Sequence, residues 1–211
     1  METVTIAMAK GRTTKRALRI LEQMGIRFSI QPEDSRKLVF TDDTETIKLL
    51  QVKAVDVPTY VEKGAADIGI VGKDIIMEDA PNVYELADLD IGKCKIVVAG
   101  FPQTVLRNNS TLTVATKYPN VAKTYFDQKG FRTDIIKLNG SIELAPLIGL
   151  ADVIVDIVET GTTLKENGLV ILEEISDISA RLIVNKASYA IKTASIRQFI
   201  DSMNAEVRLQ S

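Results

Sequence analysis

The stretch DIVETGTTL, residues 156–164, follows the apolar run VIV and presents a carboxylate, three hydroxyls and a glycine. That combination suits a phosphate joined to a sugar. Backbone N–H groups in a tight glycine-containing turn converge on an anion. Thr160, Thr162 and Thr163 add hydroxyl donors, and Gly161 lets the backbone close around the phosphate. The C-terminal end of a parallel strand is where open α/β sheets bind ligands. Asp156, at the strand end, can accept hydrogen bonds from ribose hydroxyls or meet magnesium through water. No Gly-Lys-Ser/Thr follows, so this is not a P-loop for nucleoside triphosphates. The same residues also read as a polar turn whose threonines cap a short helix at LKEN.

Two cations flank a glycine near the N-terminus, Lys10-Gly11-Arg12, between an expected strand and an expected helix. Cations beside a helix N-terminus favour an anion. A guanidinium can clamp two oxygens of a phosphate, which makes Arg12 the better candidate of the two. Lys73, in VGKD after an apolar run, is either a further anion contact or a solvated charge.

The chain contains no histidine. That removes Ser-His and Cys-His triads and histidine metal sites, so chemistry must run on positioning, carboxylates, cations and hydroxyls. The single cysteine, Cys94, excludes an internal disulfide and a cysteine zinc cluster. It reads as a small buried hydrophobe. Net charge is −2, from 26 basic and 28 acidic residues, which argues against nucleic acid and membrane as partners. No apolar stretch approaches the roughly 18 residues needed to span a bilayer, and the N-terminus lacks the apolar core of a signal peptide. These features predict a soluble cytoplasmic protein.

The elements that must position these residues alternate. Strands are expected at 3–8, 37–40, 46–52, 67–71, 93–101, 111–116, 133–138, 151–158 and 180–185. Helices are expected after Thr13 or Thr14, with Ala17, Leu18, Leu21 and Met24 on one face, and from Asp56-Val57-Pro58 to Gly64. Further helices are expected at 119–130, 141–149 and 194–207. Strands that are apolar throughout predict α/β with largely parallel sheets. GAADIGI at 64–70 is echoed by GLADVIV at 149–155, each a helix end running into a buried strand, which suggests two similar lobes. The loop FPQTVLRNNS, 101–110, has the composition of a linker.

The motifs VIVDIVETGTTL, GSIELAP and GLAD, together with IAMAKGR, SRKL, DVPTYVEKGAADIGIVGKD and CKIVVAG, resemble in order those of ATP phosphoribosyltransferases of the short form. The resemblance implies two α/β lobes arranged as in type II periplasmic binding proteins, with the active site in the cleft between them. Lobe I would hold 1–93 and 180–211, and lobe II 94–179 with the phosphoribosyl-diphosphate loop. It implies transfer of phosphoribosyl to N1 of ATP with release of diphosphate, the first step of histidine biosynthesis. Lys10, Gly11, Lys73, Glu143, Asp156, Thr160, Gly161, Thr162 and Thr163 would bind substrate, with Glu143 near the ribose hydroxyls. Arg12 and Arg36 would carry catalysis, Arg12 at the departing diphosphate and Arg36 at nucleotide or diphosphate. Mg2+ would arrive with the substrates, without a dedicated protein cage. The implied partners are a second copy of the chain and a regulatory subunit resembling the catalytic part of histidyl-tRNA synthetase. Two other readings stay open: a phosphoribosyltransferase for a free base or orotate, although the paired acids usual before that loop are here Asp156-Ile157, and a two-lobed binder of small anions.

Overall fold

The computed structural model describes residues 2–32, 35–108 and 110–210. The chain forms two compact units, Met1–Gly92 with Ser179–Ser211, and Lys93–Ile178.

The first unit contains β1 (Val4–Ala9), α1 (Arg12–Gln23), β2 (Val39–Thr41), β3 (Ile47–Val52), α2 (Val57–Glu62), β4 (Ile68–Gly72), α3 (Lys73–Asp79) and β5 (Tyr84–Asp88). The second contains β6 (Cys94–Gly100), β7 (Thr111–Thr116), α4 (Pro119–Gln128), β8 (Arg132–Lys137), α5 (Leu144–Leu147), β9 (Val153–Val158), α6 (Thr162–Glu166) and β10 (Val170–Ile178). The chain then returns to the first unit with β11 (Ala180–Val184), α7 (Lys186–Ile191) and α8 (Thr193–Gln210).

The sheet of unit one has the order β2-β3-β1-β4-β11-β5, and that of unit two β10-β6-β9-β7-β8. Parallel ladders occupy β3-β1-β4 and β8-β7-β9, as the continuous apolar runs predict. Beyond them, β2, β11, β5, β6 and β10 pair antiparallel, so both sheets are mixed. The order β3-β1-β4-β11-β5 matches β8-β7-β9-β6-β10 strand for strand, in pairing direction as well as position. The repeated Gly-x-Ala-Asp segments are therefore the visible trace of one architecture built twice.

Unit one buries both faces of its sheet. Ile6, Met8, Leu49, Ile68, Leu182 and Val184 pack with Ala17, Ile20 and Leu21 of α1 and Ile196, Phe199 and Met203 of α8. Ala7 and Ile183 face Val57 and Val61 of α2 and Ile75 of α3. The second layer lies so close that a Cβ at Gly69 would stand 2.7 Å from Val61 Cγ2 and 2.9 Å from both Ile183 Cγ1 and Val57 Cγ1. In unit two, Val97, Ala99, Ala115 and Ile154 pack against Ala145 of α5 and Leu164 of α6. α4 buries Val121, Ala122 and Phe126 and lies on β7 and β8.

Several expectations shift. Helix α1 begins at Arg12 with Gly11 as its N-cap, so Thr13 and Thr14 lie in the first turn and do not cap it. Thr14 Oγ1 instead donates to the Ala9 carbonyl and fastens the helix start to β1. The expected helix 141–149 contracts to Leu144–Leu147, because Pro146 offers no N–H to a longer helix. Loop 101–110 joins β6 to β7 inside unit two, and the chain passes between units at Gly92/Lys93 and Ile178/Ser179. Proline and asparagine mark a loop whatever it connects. Cys94 is half-buried rather than buried. Among the described residues no helix is long and apolar enough to cross a membrane.

Candidate active site

The phosphate-loop candidate sits where β9 surfaces. Gly161 adopts the left-handed conformation (φ 77°), which turns the chain from strand into α6 and places the N–H groups of the helix start at the turn. Gly161 brings no side chain to the cap, and the capping alternative is met only by the Thr160 hydroxyl at the first N–H of α6. The Thr160 and Thr162 hydroxyls lie 3.0 Å apart, and the Thr162 N–H approaches Thr160 Oγ1 at 3.4 Å. Thr160, Gly161 and Thr162 line an open hollow together with Lys165 and Glu166. Thr163 is exposed beside it, and its carbonyl accepts from Asn167 Nδ2 at 2.9 Å.

Asp156 lies four residues before Thr160 on β9 and is half-buried. Burial pushes its carboxyl above the ordinary value of 3.8. The Ile157 N–H, donating to Oδ1 at 2.8 Å, pulls the other way; the negative charge of Glu143 adds to the rise, and the Lys117 ammonium opposes it. Glu143, half-buried, is the residue immediately before α5, and the left-handed Ser141 (φ 50°) bends the chain into that position.

Lys117 and Lys165 are the two cations that the sequence reading passed over. Lys117 directly follows β7, as Lys10 follows β1. It comes beside Asp156 through the register that opposes Thr116 to Val155. Thr116 fixes that end of the strand: its hydroxyl donates to the Val155 carbonyl at 2.6 Å and accepts from the Tyr118 N–H at 2.8 Å. The Lys117 ammonium lies 5.7 Å from the centre of the Tyr118 ring. Lys165 stands one helical turn after Thr162, a spacing that helical periodicity could have disclosed.

In unit one, Lys10 is exposed and its ammonium donates to the Ser35 carbonyl at 2.5 Å. That contact ties the strand-end cation to the segment carrying Arg36, which is exposed. Gly11 has φ 145° and open space where a side chain would begin. Arg12 opens α1, and its side chain lies outside the described residues. Lys73 is paired with Glu85 at 2.6 Å, so its charge is already partly met within the unit. Among the described residues no group of three His, Cys, Asp or Glu side chains gathers to hold a metal ion.

The family model described as HisG, ATP phosphoribosyltransferase, matches residues 53–205. The ATP phosphoribosyltransferase of Oceanobacillus iheyensis is 54% identical over 207 residues, covering 98% of this chain and 100% of the relative. Among solved structures, the ATP phosphoribosyl transferase (HisG:HisZ) complex from Thermotoga maritima contains a chain that superposes with a TM-score of 0.86 at 34% identity, over 98% of this chain and 99% of that one. The periplasmic aliphatic sulphonate binding protein SsuA from Escherichia coli shares the fold, with a TM-score of 0.61 at 14% identity over 99% of this chain and 70% of that one. The fold is therefore the two-lobed α/β type of periplasmic binding proteins. With more than half its length matched and a full-length relative above half identity, the chain belongs to the ATP phosphoribosyltransferase family.

Proposed function

We propose that the chain transfers the phosphoribosyl group of phosphoribosyl diphosphate to N1 of the adenine of ATP and releases diphosphate, the first step of histidine biosynthesis. One observation carries the assignment of the sugar phosphate. The Thr160-Gly161-Thr162 turn lines a hollow at the end of the strand that also bears Asp156, with Glu143 close enough to act on that carboxyl.

In this reading the turn 160–163 holds the 5′-phosphate, and Asp156 and Glu143 accept hydrogen bonds from the ribose hydroxyls. Arg12 and Arg36, with Lys10, Gly11 and Lys73, receive the nucleotide phosphates and the departing diphosphate. Phosphoribosyl diphosphate is already activated at its anomeric carbon, so no covalent intermediate is needed. As the diphosphate leaves, positive charge grows on the sugar in an oxocarbenium-like state. Adenine N1 carries a lone pair and needs no protein base, which a chain without histidine suits. Holding the two substrates in line can lower the barrier by about 7 kcal/mol or more, and fixed charges at the leaving group add to that. Magnesium enters bound to the substrates' phosphates. The reaction runs in the cytoplasm, in an assembly of two copies of this chain with a regulatory subunit. Isolation of the Thermotoga maritima relative as a HisG:HisZ complex supports such a subunit.

The test is to incubate the protein with ATP, phosphoribosyl diphosphate and magnesium, with and without a candidate regulatory subunit, and to follow the N1-phosphoribosyl product by mass spectrometry. Product formed from ATP, and not from orotate or free purines, is expected. Transfer only to orotate or a free purine would assign the chain to another acceptor.

A further inference from the structure

β3 presents Ile47, Leu49 and Gln51 at alternate positions, the spacing of one strand face. The first two are buried in the core of unit one, and Gln51 is buried to the same degree, at 4% exposure. An amide in a buried stripe costs stability unless its polar atoms are met. Gln51 meets them on one side only. Its Nε2 donates to the Pro32 carbonyl at 2.9 Å, and its backbone N–H donates to the Leu38 carbonyl at 2.8 Å. Its Oε1 is buried and has no hydrogen-bond partner among the described residues. One residue thus meets the Pro32 carbonyl with its side chain and the Leu38 carbonyl with its backbone, a bracket around Arg36, and Lys10 takes the Ser35 carbonyl. Arg36 lies inside this bracket, exposed, with the Lys37 N–H turned back onto Ser35 Oγ at 3.1 Å.

We infer that Gln51 is a positioning residue for phosphoribosyl transfer, holding the chain at Pro32 and Leu38 so that Arg36 is presented to the anionic substrates. The inference rests on the role proposed above for that cation. Methionine has a similar volume; it removes the unmet Oε1 but also takes the Nε2 donor from the carbonyl of buried Pro32, so the variant tests that single grip.

The experiment compares Gln51→Met, Arg36→Ala and the double variant with the unmodified chain, each in the assembly in which the unmodified chain is active. Gln51→Met is expected to lose about ten- to a hundredfold in kcat/KM, the scale of a misplaced positioning group, beyond what any fall in melting temperature accounts for. In the Arg36→Ala background the same substitution should cause no further loss, because Gln51 acts through the segment bearing Arg36. Amide hydrogen exchange at residues 35–38 should quicken in Gln51→Met while the rest of unit one is unchanged. Full kcat/KM in Gln51→Met, losses that add to those of Arg36→Ala, or activity falling only in step with melting temperature would each overturn the role. If the unmodified chain performs no transfer under any condition, the proposed function fails, and the exchange measurement decides the positioning claim. Quickened exchange confined to 35–38 upholds the bracket, and unchanged exchange refutes it.

Discussion

Asp152 holds Thr113 by two hydrogen bonds: its backbone N–H donates to the Thr113 carbonyl at 2.9 Å, and its carboxylate accepts the Thr113 N–H at 2.8 Å. Asp67 holds Thr5 in the same way, at 2.8 Å for each bond. In both units the aspartate follows a left-handed glycine, Gly149 or Gly64, and locks the start of a central strand to its parallel neighbour. The clamps differ in their surroundings. Asp152 is exposed, whereas Asp67 is buried and also bonded to the Lys192 ammonium at 2.9 Å.

Replacing Asp67 with Asn should therefore destabilise the protein at neutral pH by about 2–3 kcal/mol, the scale of a charged partner lost from a buried pair. Burial alone would raise the Asp67 carboxyl, but hydrogen bonds from Ser188, Thr5 and Lys192, with the Lys192 charge, hold it below 3.8. A lowered folded value means that this stabilisation is complete above 3.8 and is lost as pH falls through the folded value. Urea unfolding of both proteins should show the gap narrowing on acidification; a gap independent of pH would assign the loss to shape alone.

Asp156 has the opposite sign. Its folded carboxyl is raised, so keeping it ionised costs stability above the folded value, and the cost vanishes below the ordinary 3.8. Asp156→Asn should unfold at higher urea concentration than the unmodified protein at neutral pH, with the advantage fading in acid. The same variant should bind phosphoribosyl diphosphate more weakly. Equal or lower stability at neutral pH would contradict the burial argument.

Thr162→Val removes one hydroxyl donor from the turn while keeping the side-chain shape. Affinity for phosphoribosyl diphosphate should fall by about 1–2 kcal/mol, the scale of a hydrogen bond to a charged group. Calorimetry with unchanged affinity would take this residue out of the phosphate site.

Arg12→Ala should lower turnover far more than it lowers the unfolding free energy measured in urea. Retained turnover at saturating substrates would end the role assigned to that guanidinium.

Gly69→Ala tests the packing of α2 on the sheet. The added methyl meets Val57, Val61 and Ile183 at less than 3.0 Å, so the layer must shift, at a cost of about 1–3 kcal/mol. Thermal unfolding that is unaltered would show the layers to be looser than these distances.

Much of the central framework was legible because its strands are apolar runs, as in IVVAG at 96–100 and VIV at 153–155. The 160–163 turn was legible for the same reason, with hydroxyls and glycine directly after such a run. The edges were not. β10 reads VILEEISDI, and its acids break the apolar pattern because the strand lies at the margin of its sheet. α3 follows β4 without a loop, so its Ile75 and Ile76 look like a continuation of the strand. Lys117 escaped notice because its closeness to Asp156 depends on strand register, which joins residues far apart in sequence. Gln51 escaped because a lone polar residue in a strand pattern looks like an exposed position.

The place of β11 between β4 and β5 has a consequence for how the protein is made. Among the described residues β5 pairs with no strand but β11, and β11 is translated only after all of residues 93–178. A nascent chain leaving the ribosome must carry β5 unpaired while the contiguous second unit can already complete its own sheet. That unit should acquire protease resistance first, and stalling synthesis before residue 180 should leave Tyr84–Asp88 open to cleavage.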